Sequence, residues 1–344
     1  MRKDIKHIVS IKKSYSFMAY EKELNVALNA VRKAAALCTS VQFRLLTADT
    51  MLKKDRSPVT IADYGSQAVM SALLAKSFSA DPLIGEEDID ELEKNDDMRA
   101  KVLELVQEQI EGMDDHSMLA MIARGNAESG GSRCWTCDPV DGTKGFIRRQ
   151  QYAVALALLE DGEVKVGVLG CPNLPAKNDD PAAGTGCLFY ATKGGGAFMS
   201  DLRGSTSRQI HVDDLRDPSR TRFAESVESA HAAISVHRDI STTLGITTAP
   251  LQIDGQGKYA VLARGDVSIY LRYPKDDIYR EKIWDHAAGA IIVEEAGGLV
   301  TDIDGAALNF SGRRMAQNRG IVATNGLVHT KVINVIAQHR ERLG

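Results

Sequence analysis

The strongest constraint on the fold lies between residues 152 and 198. Two apolar runs, 152–159 and 164–169, flank the dipeptide Asp161-Gly162. Asp-Gly between short apolar runs marks a two-residue hairpin, because both central positions of the favoured turn need a positive φ. A third run at 187–192 leads through Lys193-Gly194-Gly195-Gly196 into a fourth strand. The pattern is an antiparallel meander, and its apolar face needs a cover. Helical periodicity supplies one at 20–43, where Leu24, Ala27, Leu28, Val31, Ala34, Ala35 and Cys38 fall on one face. Further helices are expected from Thr60-Asp63, read as a capping box, to about 78, and at 98–113. Beyond residue 205 strands and helices alternate. Strands are expected at 209–212, 222–227, 250–253, 267–272, 299–302 and 320–324. Helices are expected at 235–244, 258–264, 281–296 and 327–339. The expected architecture is a layered αβαβα sandwich. Residues 1–17 form an extension, 18–205 an α+β domain with an antiparallel sheet, and 206–344 an α/β domain with a mixed sheet.

The net charge of −4 gives no broad face for nucleic acid, and no apolar run is long enough to span a membrane. Cys134 and Cys137 are spaced like half of a metal or redox site, but no second pair accompanies them. The expected compartment is cytoplasmic. Residues 1–17 carry Arg2, Lys3, Lys6, Lys12 and Lys13 against Asp4 alone, so a plastid or mitochondrial address follows if they belong to a transit segment.

Chemistry concentrates in Asp138-Pro139-Val140-Asp141-Gly142-Thr143-Lys144-Gly145-Phe146. The stretch reads as a tight turn between strands. Its two acids, three apart, repel each other unless a cation sits between them, and hard oxygen ligands suit Mg²⁺. Asp141-Gly142-Thr143 alone also reads as an Asx turn. Further acids stand beside strand ends or helix starts. Asp63 reads first as a helix cap, Glu86 with Glu87 as a solvated turn, and Asp285 in Trp284-Asp285-His286-Ala287-Ala288-Gly289 as a carboxylate at a helix start. Together the five suit two or three divalent ions around a phosphate.

These motifs resemble the Mg²⁺-dependent, lithium-sensitive phosphomonoesterase superfamily that includes inositol monophosphatase. Longer stretches resemble its 3'(2'),5'-bisphosphate nucleotidase branch, of plant or fungal type. They are 138–146, Gly170-Cys171-Pro172-Asn173-Leu174, Tyr279-Arg280-Glu281-Lys282-Ile283-Trp284-Asp285, and 57–65. The likeness runs from about residue 18 to the C-terminus. It implies hydrolysis of adenosine 3',5'-bisphosphate to AMP and phosphate, with 3'-phosphoadenylyl sulfate as a second substrate. It also implies two to three Mg²⁺ ions. One would be held by Glu86, Asp138 and the Val140 carbonyl, a second by Asp138, Asp141 and Asp285, and a looser one near Asp63 and Glu86. Asp63 and Thr143 would position and deprotonate the attacking water. His231, Gly255, Lys258 and Arg272, with Thr143 and Asp285, would contact the substrate.

The chain departs from the family pattern at Asp254-Gly255-Gln256-Gly257-Lys258, where a Ser hydroxyl is usual at 255, at Ala230-His231-Ala232, and at Arg148-Arg149. Cys171 and Cys187 end and begin successive strands, which makes them a candidate redox pair; two partly buried thiols is the plainer reading. Other functions stay open on the residues alone. They are an inositol polyphosphate 1-phosphatase, an inositol monophosphatase, or a nucleotide or redox sensor. Phosphoenzyme chemistry of the Asp-x-Asp-x-Thr type is disfavoured, because the acids here are three apart. The expected partner is a small bisphosphate nucleotide, without nucleic acid or membrane, on a monomer or homodimer.

Overall fold

The computed structural model describes residues 19–47, 57–128, 131–177, 181–204, 206–228, 231–274, 276 and 278–343. The basic segment 1–17 lies outside them. The meander forms as its turn chemistry requires. Strand β3 (Ala153–Glu160) turns through Asp161 (φ 51°) and Gly162 (φ 77°) into β4 (Glu163–Pro175). A seven-stranded sheet then runs in sequence order from β1 (Leu83–Gly85) and β2 (Arg133–Asp141) through β3 and β4. It continues with β5 (Thr185–Thr192), β6 (Gly196–Asp201) and β7 (Ser207–Ile210). All neighbours are antiparallel except β1 and β2, which are parallel. The strand expected near 209–212 in the second part therefore belongs to the first sheet, paired with β6. A second, five-stranded sheet has the order β11 (Leu299–Thr301), β12 (Ile321–Thr324), β10 (Ile269–Arg272), β8 (Phe223–Glu225), β9 (Leu251–Gln252). It mixes parallel and antiparallel pairs.

Three buried cores separate five layers. The outer face of the large sheet packs under α1 (Glu21–Thr47), α2 (Ser57–Ser77), α3 (Asp96–Gln109) and α4 (Asp115–Ala123). Between the sheets lie α7 (Gly257–Ala263) and α8 (Ala287–Glu295). On the far side of the small sheet lie α6 (His231–Leu244) and α9 (His329–Leu343). The layers are αβαβα. Among the described residues no helix is long and apolar enough to cross a membrane.

Three local expectations are corrected. Helix α2 begins at Ser57, with Pro58 in its first turn where a missing N–H costs nothing, so Asp63 stands inside the helix and caps nothing. The helix expected from residue 281 begins at Ala287. A 3-10 turn, Ile283–Asp285, precedes it, and Lys282 is held extended by a bridge to Arg314. The stretch 138–146 is a strand end followed by α5 (Thr143–Ile147), joined through Gly142 in the left-handed region (φ 98°).

Candidate active site

Strand β2 carries the first carboxylates. Its pairing with β3 shifts between Asp138 and Asp141, so Pro139 and Val140 stand out of the ladder in a bulge. The Pro139 carbonyl is taken by Ser66 Oγ at 3.0 Å, which ties the bulge to α2. Asp138 is 2 % exposed and Val140 is buried. Asp63, 8 % exposed, comes from the same helix as Ser66. Glu86 follows β1 directly, half-buried. Gln67 pins that loop by accepting the Glu87 N–H at 3.1 Å and donating to the Glu87 carbonyl at 2.7 Å. A side chain at Gly85 or Gly125 would enter the space Gln67 fills, with Cβ 2.4 Å from its amide.

Burial and mutual repulsion dominate this group. Asp138 is raised well above the carboxylate range by burial, then by the charges of Glu86, Asp141, Asp285 and Asp63. Asp63 is raised by burial and by Glu87 and Glu86. Asp141 is raised by burial, against the pull of Lys258 and Arg272. Burial moves Asp285 up to about 6, opposed by His286 and Arg272. Asp138 is thus within electrostatic reach of the other four acids. Asp138 Oδ1 is buried without a hydrogen-bond partner, a costly state for a carboxylate oxygen and one that a hard cation relieves. The donor set therefore fits a divalent ion. Among the described residues, the one trio of side chains with ligand atoms all within 4.8 Å is Glu281, Asp285 and His286. Glu281 there already pairs with Arg272 and His286, so it behaves as a buried ion-pair partner.

A cleft of about 520 Å³ opens beside the acids, a size typical of small-ligand sites. Asp141, Thr143, Gly255, Lys258, Arg272 and Asp285 line it. The two parts of the chain meet here at close range. The Gln256 N–H donates to Asp141 Oδ2 at 2.7 Å, and Gly255 (φ 63°) has no room for a side chain, since a Cβ would lie 2.3 Å from the Asp141 carbonyl. Lys258 is buried, its Nζ 3.2 Å from Ser226 Oγ and 5.4 Å from the centre of the Tyr270 ring, and burial lowers it to about 8. Arg272 is 35 % exposed at the end of β10, and its Nη2 lies 3.8 Å from Asp285 Oδ2. His231 opens α6, and its side chain lies outside the described residues. Cys171 and Cys187 are directly opposed across β4 and β5, both buried and both free thiols.

Several residues without an expected role border the site. Lys144 joins Glu228 at 2.9 Å, and Arg148 joins both Glu228 and Asp254 across the cleft mouth. Lys282 Nζ lies 3.2 Å from Glu86 Oε1 and 4.9 Å from the centre of the Trp284 ring. Gly145 is required because a Cβ would lie 2.2 Å from the Gln151 carbonyl. Lys144, Gly145 and Lys282 stand inside the motif stretches, Arg148 and Asp254 in the departures, and nothing local marks Glu228.

Residues 19–341 match the inositol monophosphatase family model. The chain belongs to the inositol monophosphatase family. A Schizosaccharomyces pombe protein named 3'(2'),5'-bisphosphate nucleotidase is 40% identical over 339 residues, covering 93% of this chain and 96% of its own. An Oryza sativa protein of the same name is 45% identical over 328 residues (89% and 91%). The Arabidopsis thaliana 3'(2'),5'-bisphosphate nucleotidase 1 is 46% identical over 301 residues (81% and 85%). Among solved structures, the Thermotoga maritima IMPase superposes with a TM-score of 0.62 at 22% identity, covering 94% of this chain and 100% of its own. At that identity the likeness speaks for the family's fold, which is the αβαβα arrangement described above.

Proposed function

We propose that this protein is a phosphomonoesterase that removes the 3'-phosphate of adenosine 3',5'-bisphosphate, giving AMP and phosphate, and that of 3'-phosphoadenylyl sulfate, giving adenylyl sulfate. The observation that carries the reading is the mixed lining of one cleft. Asp141, Asp285 and Thr143 share it with Lys258 and Arg272, whose Nη2 lies 3.8 Å from Asp285 Oδ2. A substrate with two phosphates finds both metal-binding acids and two cations within that one cavity. The relatives named above as nucleotidases support the same choice.

On this reading residues 18–205 supply the hydrolytic side and 206–344 the nucleotide side. Glu86, Asp138, the Val140 carbonyl, Asp141 and Asp285 would hold Mg²⁺, with Asp63 near a looser ion. Bound there, the ions supply charge neutralisation for the phosphate and a lowered pKa for water. Thr143 orients the attacking water through its hydroxyl and passes a proton to Asp63, since a hydroxyl is too weak a base to act alone. The Gln256 N–H, already on Asp141 Oδ2, keeps that carboxylate aimed at the cleft. Lys258 meets a phosphate as a point charge, and Arg272 as a planar fork.

The test is turnover by the purified protein with Mg²⁺ of adenosine 3',5'-bisphosphate against inositol 1-phosphate and inositol 1,4-bisphosphate. The expected kcat/KM for the nucleotide is higher by more than about tenfold, or about 1.4 kcal/mol of transition-state preference. A preference for either inositol phosphate overturns the reading.

A further inference from the structure

Arg272 is the cleft cation with a support behind it. Its Nε lies 2.7 Å from Glu281 Oε2. That carboxylate, 3 % exposed, also faces His286 Nε2 at 3.4 Å, and His286, 1 % exposed, joins Tyr259 Oη through Nδ1 at 2.9 Å. Four side chains from three segments form one buried polar chain, Tyr259–His286–Glu281–Arg272, that surfaces at the cleft. Every link is braced. Tyr259 sits so close to α8 that a Cβ on Gly289 would lie 2.3 Å from its ring. The Glu281 carbonyl accepts the Met315 N–H at 2.9 Å, and the Ile283 N–H donates to the Arg313 carbonyl at 3.2 Å, which fixes the backbone on both sides. Arg272 itself is anchored in β10, opposite Ile321 of β12.

A buried ion pair of this kind is weak evidence for stability, because well-packed apolar replacements are often as stable. Its geometry does have a use. A free arginine side chain carries about 2 kcal/mol of rotamer entropy, part of which is lost when it binds an anion. With Nε committed to Glu281, the guanidinium plane is set before ligand arrives, and Nη2, 3.8 Å from Asp285 Oδ2, lies on the cleft side. Burial alone would raise Glu281, yet its hydrogen bond to His286 and its pairing with Arg272 lower it to about 2.

We propose that Glu281 is a positioning residue for substrate recognition. It holds Arg272 with Nη2 toward the cleft so that the guanidinium receives the second phosphate of a bisphosphate nucleotide, and His286 and Tyr259 hold Glu281 in turn. This rests on the reading that Arg272 binds that phosphate.

The experiment compares Glu281→Gln, Glu281→Asp and Arg272→Met in the Mg²⁺-loaded full chain. Three quantities are read: kcat and KM for adenosine 3',5'-bisphosphate, inhibition by AMP, which keeps the second phosphate, and inhibition by inorganic phosphate, which stands for the scissile one. For Glu281→Gln, KM and the AMP inhibition constant rise about tenfold to a hundredfold, while kcat and phosphate inhibition stay within about threefold. Glu281→Asp recovers part of the loss. The Glu281→Gln/Arg272→Met double variant is no worse than Arg272→Met, as coupled residues require. Tyr259→Phe, which keeps the ring and removes the hydroxyl, shifts the same two constants in the same direction by less, and stands in if Glu281→Gln does not fold. If Arg272→Met leaves KM and AMP inhibition unchanged, the reading of Arg272 fails. If Arg272→Met raises them and Glu281→Gln does not, or Glu281→Gln weakens phosphate and AMP equally, Glu281 is not the positioning residue.

Discussion

Asp285→Asn should stabilise the metal-free protein while disabling the active one. Asp285 sits among Asp141, Glu86 and a buried wall, and its carboxyl is moved from 3.8 to about 6, chiefly by burial. At about 1.4 kcal/mol for each tenfold change in proton affinity, ionising it in the fold costs about 3 kcal/mol more than in the unfolded chain. Below pH of about 4 both states are protonated and the cost is absent. As pH rises the unfolded chain releases the proton first, so wild-type stability falls through the window from about 4 to about 6, and the full cost remains above it. Asn imitates the protonated carboxyl at every pH. Thermal melts in chelator should therefore coincide near pH 4. They should separate up to pH 6 and stay apart by up to about 3 kcal/mol at pH 8, several degrees given roughly 2–4 °C per kcal/mol for domains of 150–250 residues. Saturating Mg²⁺ should reverse the order. It adds about 2.7 kcal/mol at a hundredfold excess over Kd for a chain that keeps its ligands, and less for the variant. A variant no more stable than wild type in chelator at pH 8, or a gap that does not change with pH, would refute the reasoning.

Three further outcomes are expected. Asp63→Asn and Thr143→Ala each lower kcat by about 10²–10⁴ with KM changed only a few-fold; an effect confined to KM would remove them from the proton path. Gly145→Ala places a Cβ 2.2 Å from the Gln151 carbonyl and 3.1 Å from Asp254, and should cost about 1–3 kcal/mol of stability in denaturant melts; a neutral result would mean the loop yields freely. Cys171 and Cys187 are directly paired in an antiparallel ladder, which places their Cα atoms about 4.5–5.5 Å apart, inside disulfide range. Oxidant should join them, slowly because burial raises both thiols (Cys187 to about 11), and mass spectrometry of the cross-linked peptide should find the bond, with Cys187→Ser as the control; a peptide pairing either cysteine with another partner would overturn the assignment.

What could be read from the chain was whatever one segment settles by itself. Asp161-Gly162 dictated its hairpin because no other residues are needed to satisfy a two-residue turn. The acids of 138–146 pointed to a cation because their repulsion is local. Periodicity set α1 and its place on the first sheet, since an apolar stripe has to be covered wherever the rest of the chain goes. The failures have the opposite character. Asp63 looked like a cap because Thr60 and Asp63 have the right spacing, but the helix starts a turn earlier, and its burial beside Glu86 and Glu87 is a tertiary fact. The strand Ser207–Ile210 joined the first sheet because β6 offered it an edge, which no local pattern records. Arg272 reads in the sequence as a substrate contact, and only the packing of α7, α8 and β10 brought Glu281, His286 and Tyr259 behind it. Local turn and helix energetics depend on near neighbours and are written in order along the chain. A buried charge depends on every group that displaces water from it, and those groups are chosen by the fold.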